Sequence, residues 1–162
     1  MHKRIVIFGL VGLFVLGTGT LLYAHFADRV LKTDMSDPAQ VVSARKGLMH
    51  AIRDNMVDIN KKSGAGNIED ISVNGSNIAA IAAVLPVFYK ETYKDVYPVK
   101  GSKTYFKGAN PAEYEAAAEK LRVAGMAIKT AAEKKDEAGV SAAMEALSGS
   151  CGGCHSAFRG KY

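Results

Sequence analysis

Several residue types are scarce in this chain of 162 residues, and each shortage excludes a class of protein. Two cysteines cannot make a disulfide-dense scaffold or a zinc site with four thiolates. Only four prolines, among many alanines, favour helices. The length excludes a TIM barrel or a two-domain Rossmann enzyme, and an apolar fraction of 48% excludes a disordered chain. The chain contains no block of five or more like charges, so the sequence predicts no nucleic-acid-binding tail and we expect no nucleic-acid partner.

The N-terminal segment is the most apolar part of the chain. Lys3 and Arg4 precede Ile5–Ala24, twenty residues without a formal charge. As a helix this stretch is about 30 Å long, the thickness of a bilayer's hydrocarbon core. A cleaved signal has a shorter apolar core and small residues before its cleavage site, so residues 1–26 are predicted to be an uncleaved anchor, with a cleaved signal as the alternative.

The charges before this segment predict which side of the membrane the rest of the chain occupies. Lys3 and Arg4 favour the cytoplasmic side, so everything beyond the segment is expected outside the cytoplasm. In a bacterium this places a single-pass protein in the inner membrane with its domain in the periplasm. Residues 27–36 form the predicted linker.

Residues 37–162 contain four stretches with the apolar spacing of amphipathic helices. Asp37, Asn110 and Asp136 are predicted N-caps, and proline follows two of them at the first helical position. Pro86 is predicted to kink or end the second helix. The stretches cover 37 to about 62, 77 to about 90, 110 to about 135, and 136 to the C terminus. Such a pattern predicts an all-α domain, an antiparallel four-helix bundle.

The motif that carries chemistry is Cys151-Gly152-Gly153-Cys154-His155, which has the C-x-x-C-H form of a haem attachment site. Residues three and four apart share one face of a helix. Both thiols can therefore add to the two vinyl groups of one haem, while the imidazole of His155 coordinates its iron. The sequence predicts one haem c, bound through two thioethers.

Three other interpretations of this motif explain less of it. A structural disulfide would leave His155 without a role. A thioredoxin-type redox pair belongs in a βαβ context, which the helical pattern lacks. A zinc site would need a fourth ligand, and of the other histidines only His50 lies beyond the N-terminal segment.

Two segments, the C-terminal CGGCHSAFR and DPAQVVSARKGLMHAI on the first helix, resemble the cytochrome c′ family. These are four-helix bundles whose haem is attached near the C terminus. The likeness covers roughly Asp37–Tyr162, with a divergent loop between the second and third helices. It implies that Cys151 and Cys154 are the thioether cysteines and that His155 is the proximal iron ligand. Tyr114 stands where many members have tryptophan.

The resemblance also implies further residues around the haem. Arg45 matches an arginine that pairs with a haem propionate, and Met49 matches the residue over the open side of the haem. Arg159 matches an arginine one turn after the proximal histidine. A cation four residues after His155 would also share its helix face and could raise the haem potential. The remaining residues expected near the haem are Ile52 and Phe158.

The expected function depends on Met49. If its sulfur binds iron, the haem is six-coordinate and low-spin, which is typical of an electron carrier. If it only packs over the ring, the protein resembles the five-coordinate members that bind NO or CO. A tether holds the haem beside membrane redox complexes and favours electron transfer, and a haem-bearing accessory subunit is a third alternative. No catalytic constellation is present in the sequence, so we do not expect an enzyme.

Partners are expected from the same reasoning: a membrane redox complex or a soluble electron-transfer protein. Many relatives pair as homodimers through their first two helices, and the resemblance implies the same pairing for this chain. The long connection between the second and third helices is hypothesised to dock an acidic redox partner or to screen a haem edge. A solvated loop is the alternative. Its lysines are Lys90, Lys94, Lys100, Lys103 and Lys107.

Overall fold

Four helices and two short strands make up the described part of the computed structural model, which covers residues 34–89, 99, 103–107 and 110–161. The predicted anchor and most of the predicted linker lie outside these residues. The helices are α1 (Pro38–Gly64), α2 (Ser72–Val84), α3 (Pro111–Glu133) and α4 (Glu137–Phe158). Short 3₁₀ helices, Glu69–Ile71 and Leu85–Phe88, precede and follow α2. The strands are β1 (Thr104–Phe106) and β2 (Arg159–Lys161). The all-α four-helix bundle is confirmed.

The three predicted N-caps are present and hold the starts of α1, α3 and α4. The Asp37 carboxylate accepts a hydrogen bond from the Ala39 amide at 2.8 Å, and the Asn110 side chain accepts one from the Ala112 amide at 3.0 Å. Asp136 accepts from the Gly139 amide at 2.9 Å. Each cap satisfies an amide that the first turn of a helix would leave without a partner.

The second helix begins earlier than the sequence predicted, at Ser72 rather than Asn77. Its first turn is polar and resembles a loop, but one of its side chains joins it to α1. Buried Asn74 donates to Asn55 and to Asp58, both at 3.0 Å, and accepts from Lys62 at 2.8 Å. A satisfied polar network of this kind fixes how two helices align, a long-range effect that helical periodicity does not reveal.

The end of the second helix matches its prediction. The α-helix stops at Val84 and the chain continues through Pro86 in 3₁₀ form to Phe88. Among the described helices, the stretch Glu69–Phe88 is long and apolar enough to span a membrane by length and composition alone. Its side chains Ile71 and Ile78 are fully buried in the core of the bundle.

The last helix was predicted to reach the C terminus, and this prediction is wrong. It ends at Phe158, and β2 pairs antiparallel with β1, so that Tyr105 faces Gly160 and Phe106 faces Arg159. Arg159 has extended backbone angles (φ −104°, ψ 114°) and therefore does not continue the helix face of His155. The cause is a pairing with a distant segment, which the helical pattern of the last residues does not show.

The closest helix crossing joins α2 to α3 through two glycines. A Cβ on Gly75 would lie 2.6 Å from the Lys129 amide nitrogen, and one on Gly125 would lie 2.8 Å from the Ala79 nitrogen. Close backbone packing also joins α1 to α2 and α3 to α4. By contrast, α1 and α4 have few close backbone approaches or none among the described residues. The bundle is thus tight on three sides and open on the fourth.

Replacing Gly75 with alanine should destabilise the fold, because the added methyl meets backbone rather than a movable side chain. We expect a loss of about 1–3 kcal/mol in the free energy of unfolding, measured by urea titration with far-UV circular dichroism. Gly47→Ala is the matched control: its Cβ meets nothing within 4 Å, and it should gain roughly 0.5–1 kcal/mol. Equal stabilities for the two variants would show that the crossing is looser than described.

Candidate cofactor site

Two cavities lie where α1 and α4 are held apart. One has a volume of about 250 Å³ and the other about 190 Å³. Met49 on α1 and Cys154 and His155 on α4 line both of them. The two spaces therefore flank one row of side chains that runs from the first helix to the last. Cys154 and His155 belong to the predicted haem-attachment motif, and Met49 is the residue predicted to lie opposite it.

The two cysteines lie three residues apart on α4 as free, half-buried thiols. Both line the smaller cavity, so both face the same space. Burial raises the pKa of each thiol, and the neighbouring Cys151 raises the pKa of Cys154 further. Both are therefore uncharged at neutral pH, and they lie near enough in sequence and direction to hold one bound group at two points.

His155 follows directly and is half-buried beside the same cavities. Burial lowers the pKa of its imidazole, and the positive charge of Arg159 lowers it further. The ring is thus neutral at pH 7, which is the form that binds a metal ion through a nitrogen lone pair. Although Arg159 has left the helix, β2 keeps it at the wall of the larger cavity.

The side of α1 that faces α4 carries the other predicted residues. Half-buried Met49 lines both cavities, and buried Ile52 lines the smaller one. Arg45, 8% exposed, lines the larger cavity. Its guanidinium lies 4.5 Å above the Tyr89 ring and within 3.5 Å of the Phe88 carbonyl oxygen. His50, weighed as a zinc ligand, is exposed but also lines the larger cavity.

The two cavities differ in polarity, and this difference suits a large flat group with charged carboxylates at one edge. Apolar side chains surround most of the smaller space, including Ile52, Leu85 and Leu121. The larger space has Arg45, Lys46 and Arg159 in its wall, and no described carboxylate lines it. A porphyrin needs this pairing of apolar walls and nearby cations, because its ring is apolar and its propionates are anionic.

Tyr114 gives a second indication that a group belongs here. Its side chain is 3% exposed and lines the smaller cavity, and its hydroxyl has no hydrogen-bond partner among the described residues. Burial raises the pKa of this hydroxyl, which keeps it protonated. Buried hydroxyls without partners are rare in folded proteins and often mark a place where another molecule sits. The residues present fit a haem.

An aromatic cluster in the walls of the cavities was not predicted from the sequence, although two of its members, Tyr114 and Phe158, were named there. Tyr89 and Tyr114 stack at 3.9 Å, Phe106 lies 5.0 Å from Tyr89, and Phe158 lies 5.3 Å from Tyr114. Phe106 reaches the cluster because β1 pairs with β2. The only signal in the sequence was the aromatic pair Tyr105-Phe106 in the long connection, which does not by itself indicate its partner strand.

A metal site made of side chains alone is not supported in the part of the chain that the structure describes. No cluster of three or more His, Cys, Asp or Glu side chains there has the arrangement of a metal site.

Comparisons with known proteins agree with this site. A family model described as Cytochrome C′ matches residues 40–159. The cytochrome c′ of Rhodospirillum rubrum is 31% identical over 133 residues, covering 76% of this chain and 84% of that protein. The site and fold define a c-type haem protein built on a four-helix bundle. This chain belongs to the cytochrome c′ family.

The strand pair that closes the larger cavity should depend on Gly160. A Cβ there would overlap the Tyr105 ring, so Gly160→Ala should push the ring away and loosen β1 from β2. We expect the Lys107 amide, which donates to the Phe158 carbonyl at 3.0 Å, to exchange its hydrogen about tenfold faster. Hydrogen exchange followed by mass spectrometry measures this.

Two comparisons make that experiment specific. Gly149→Ala, on α4 and with nothing within 4 Å of its Cβ, should leave the Lys107 amide unaffected. Adding Tyr105→Ala to Gly160→Ala should recover part of the protection. Unchanged exchange in Gly160→Ala would mean that the ring contact does not hold the strands together.

Proposed function

We propose that this protein is a membrane-tethered periplasmic electron carrier with one covalently bound haem c. The observation that carries the proposal is the row formed by Met49, Cys154 and His155, which lines both cavities from opposed helices. It supports a redox group held between α1 and α4, with one candidate iron ligand on each side. When bound, the haem supplies a one-electron couple between ferric and ferrous iron.

The three residues of the row and the nearby Cys151 have separate tasks. Cys151 and Cys154 hold the haem to α4 through thioethers, which keeps it in place through repeated redox cycles. His155 is neutral and presents a nitrogen lone pair to iron. Met49 would offer its sulfur as a second iron ligand, and a ligand set kept in both oxidation states would leave little reorganisation to accompany electron transfer.

Neighbouring side chains adjust the potential of this couple. Arg45 and Arg159 line the larger cavity and supply positive charge for the haem propionates. Positive charge and apolar surroundings both favour the ferrous form, since it carries one positive charge fewer. Ile52 and Phe158 exclude water from the ring.

A second function is favoured by one observation, the apolar character of the smaller cavity beside Met49. Ile52, Leu85 and Leu121 would leave a dry space next to iron if Met49 packed over the ring without binding it. Such a haem would bind NO or CO. An accessory subunit of a larger membrane complex is the third candidate. None of these three functions requires the chain to be an enzyme.

The partners of a carrier are a membrane redox complex or a soluble electron-transfer protein. A homodimer through α1 and α2 is supported by an exposed apolar line on the second helix and the turn after it. Val73, Val84 and Val87 are 61%, 44% and 54% exposed. Surfaces of this kind often mark protein contacts. Sedimentation velocity, which would give twice the monomer mass, tests the dimer.

Optical spectroscopy of the purified ferric protein separates the carrier from the gas-binding alternative. A carrier should show low-spin bands and the charge-transfer band of a thioether–iron bond at the red end of the spectrum. Met49→Ala should remove that band and open the iron to CO, whereas Met56→Ala, seven residues further along α1 in the wall of the smaller cavity, should not. High-spin bands and ready CO binding by the unaltered protein would contradict the carrier.

The predicted anchor is tested by fractionating cells that produce the full chain. If residues 1–26 span the membrane uncleaved, the haem protein should sediment with membranes, resist extraction by alkaline carbonate and begin at Met1 or His2. Replacing Leu10 and Phe14 with arginine should disturb insertion, because charged side chains are costly at the centre of a bilayer. A soluble periplasmic protein lacking these residues would instead support the cleaved signal.

A further inference from the structure

The two short strands carry a concentration of positive charge at the edge of the larger cavity. We name it the cationic clip: Lys103 and Lys107, which flank β1, and Arg159 and Lys161, which lie on β2. All four side chains are exposed. Register brings them together, because Phe106 faces Arg159 and Thr104 faces Lys161. The sequence alone separates the two pairs by some fifty residues.

No described carboxylate lies close enough to these charges to form an ion pair with them. None of the described residues from 99 to 107 or from 146 to 161 is acidic. Lys107 donates a hydrogen bond to the Ser156 carbonyl oxygen at 2.9 Å. A three-residue strand is about 10 Å long, close to the Debye length at 0.1 M salt, so the four charges act on a partner together.

The opposite end of the bundle has a different charge pattern. There Lys62 pairs with Asp58, and Lys135 pairs with Glu69 across the helix connections. Cations and carboxylates alternate at that end, so their fields largely cancel beyond the contact distance. Excess positive charge in the described residues is therefore gathered beside the cavity rather than spread over the surface.

We infer that the cationic clip is the docking surface for an acidic protein partner in electron transfer. This inference rests on the proposed function, because it places the partner beside the cavity assigned to the haem. Thr104 and Arg159 belong both to the strand pair and to the wall of the larger cavity, so a protein bound to the clip lies next to that cavity. Complementary charge would orient the partner and accelerate its association.

An anionic membrane surface would also attract these positive charges, but the positions of the exposed apolar side chains argue against membrane binding. Peripheral membrane binding combines cations with exposed apolar groups that enter the lipid. Phe106 in the clip is buried and Tyr105 is half-buried. The exposed large apolar residues of the described chain lie on α1, on α2 and the 3₁₀ turn after it, and on α3, as Val57, Val73, Val84, Val87, Val123 and Met126.

The test uses the full haem-loaded chain in detergent and reduced flavodoxin, a small acidic redox protein, as the probe. Flavodoxin gives one electron to the ferric haem, and stopped-flow absorbance follows the ferrous product. The variant Lys103→Glu with Lys161→Glu changes two clip charges that do not line either cavity. Lys61→Glu with Lys134→Glu is the matched control, with the same change in net charge at the other end of the bundle.

We expect the clip variant to react about tenfold more slowly at low salt, while the control stays within about twofold of the unaltered protein. High salt should remove the difference. A cationic reductant, hexaammineruthenium(II), should react no more slowly with the clip variant than with the unaltered protein, which excludes damage to the haem. Equal flavodoxin rates for the two variants would overturn the inference.

Two further measurements separate the remaining outcomes. The reaction is also followed in nanodiscs of phosphatidylglycerol or of phosphatidylcholine. If only phosphatidylglycerol abolished the flavodoxin reaction of the unaltered protein, and the clip variant still reacted there, the clip would be assigned to lipid and the inference would be overturned. Calorimetric titration with flavodoxin needs no redox reaction. If the purified chain carried no haem, the proposed function would fail, yet tenfold weaker binding by the clip variant alone would still support the docking surface.

Discussion

The separation of α1 from α4 is the constraint on which the site depends. Three sides of the bundle are closed by direct helix contact, most tightly where Gly75 and Gly125 let α2 and α3 approach each other. The fourth side is kept open along the row of Met49, Cys154 and His155. A bundle that buried this side by direct packing would be more stable as a bare protein and would have no space for a cofactor.

The cost of that open side is visible in the groups around it. Among the described residues the buried Tyr114 hydroxyl has no hydrogen-bond partner, and two thiols and an imidazole lie half-buried at the smaller cavity. Arg45 is drawn into the interior, where the Tyr89 ring offsets part of its desolvation. Each of these is unfavourable or neutral for the chain alone, and a haem bound in this space, as proposed, would offset that cost. Folding stability and cofactor binding are therefore coupled.

Much of this could be predicted from the sequence because the signals are local. Asp37, Asn110 and Asp136 mark the starts of three helices, and the Cys151–His155 motif indicates its cofactor through spacing on one helix. Met49 and Arg45 came from family resemblance, since nothing local connects them to the motif. What could not be predicted depends on pairing between distant residues: the Asn74 network that extends α2, and the β1–β2 pair that ends α4 and moves Arg159 off the helix. Long-range pairs leave no periodic pattern to detect.

The measurement that tests the site most directly is the intact mass of the chain purified from cells with a working cytochrome maturation system, compared with its Cys151→Ala/Cys154→Ala variant. We predict that the unaltered protein carries the added mass of one haem and has no thiol left to alkylate, and that the variant carries none. A chain with no added mass and two reactive thiols would contradict the assignment of this site.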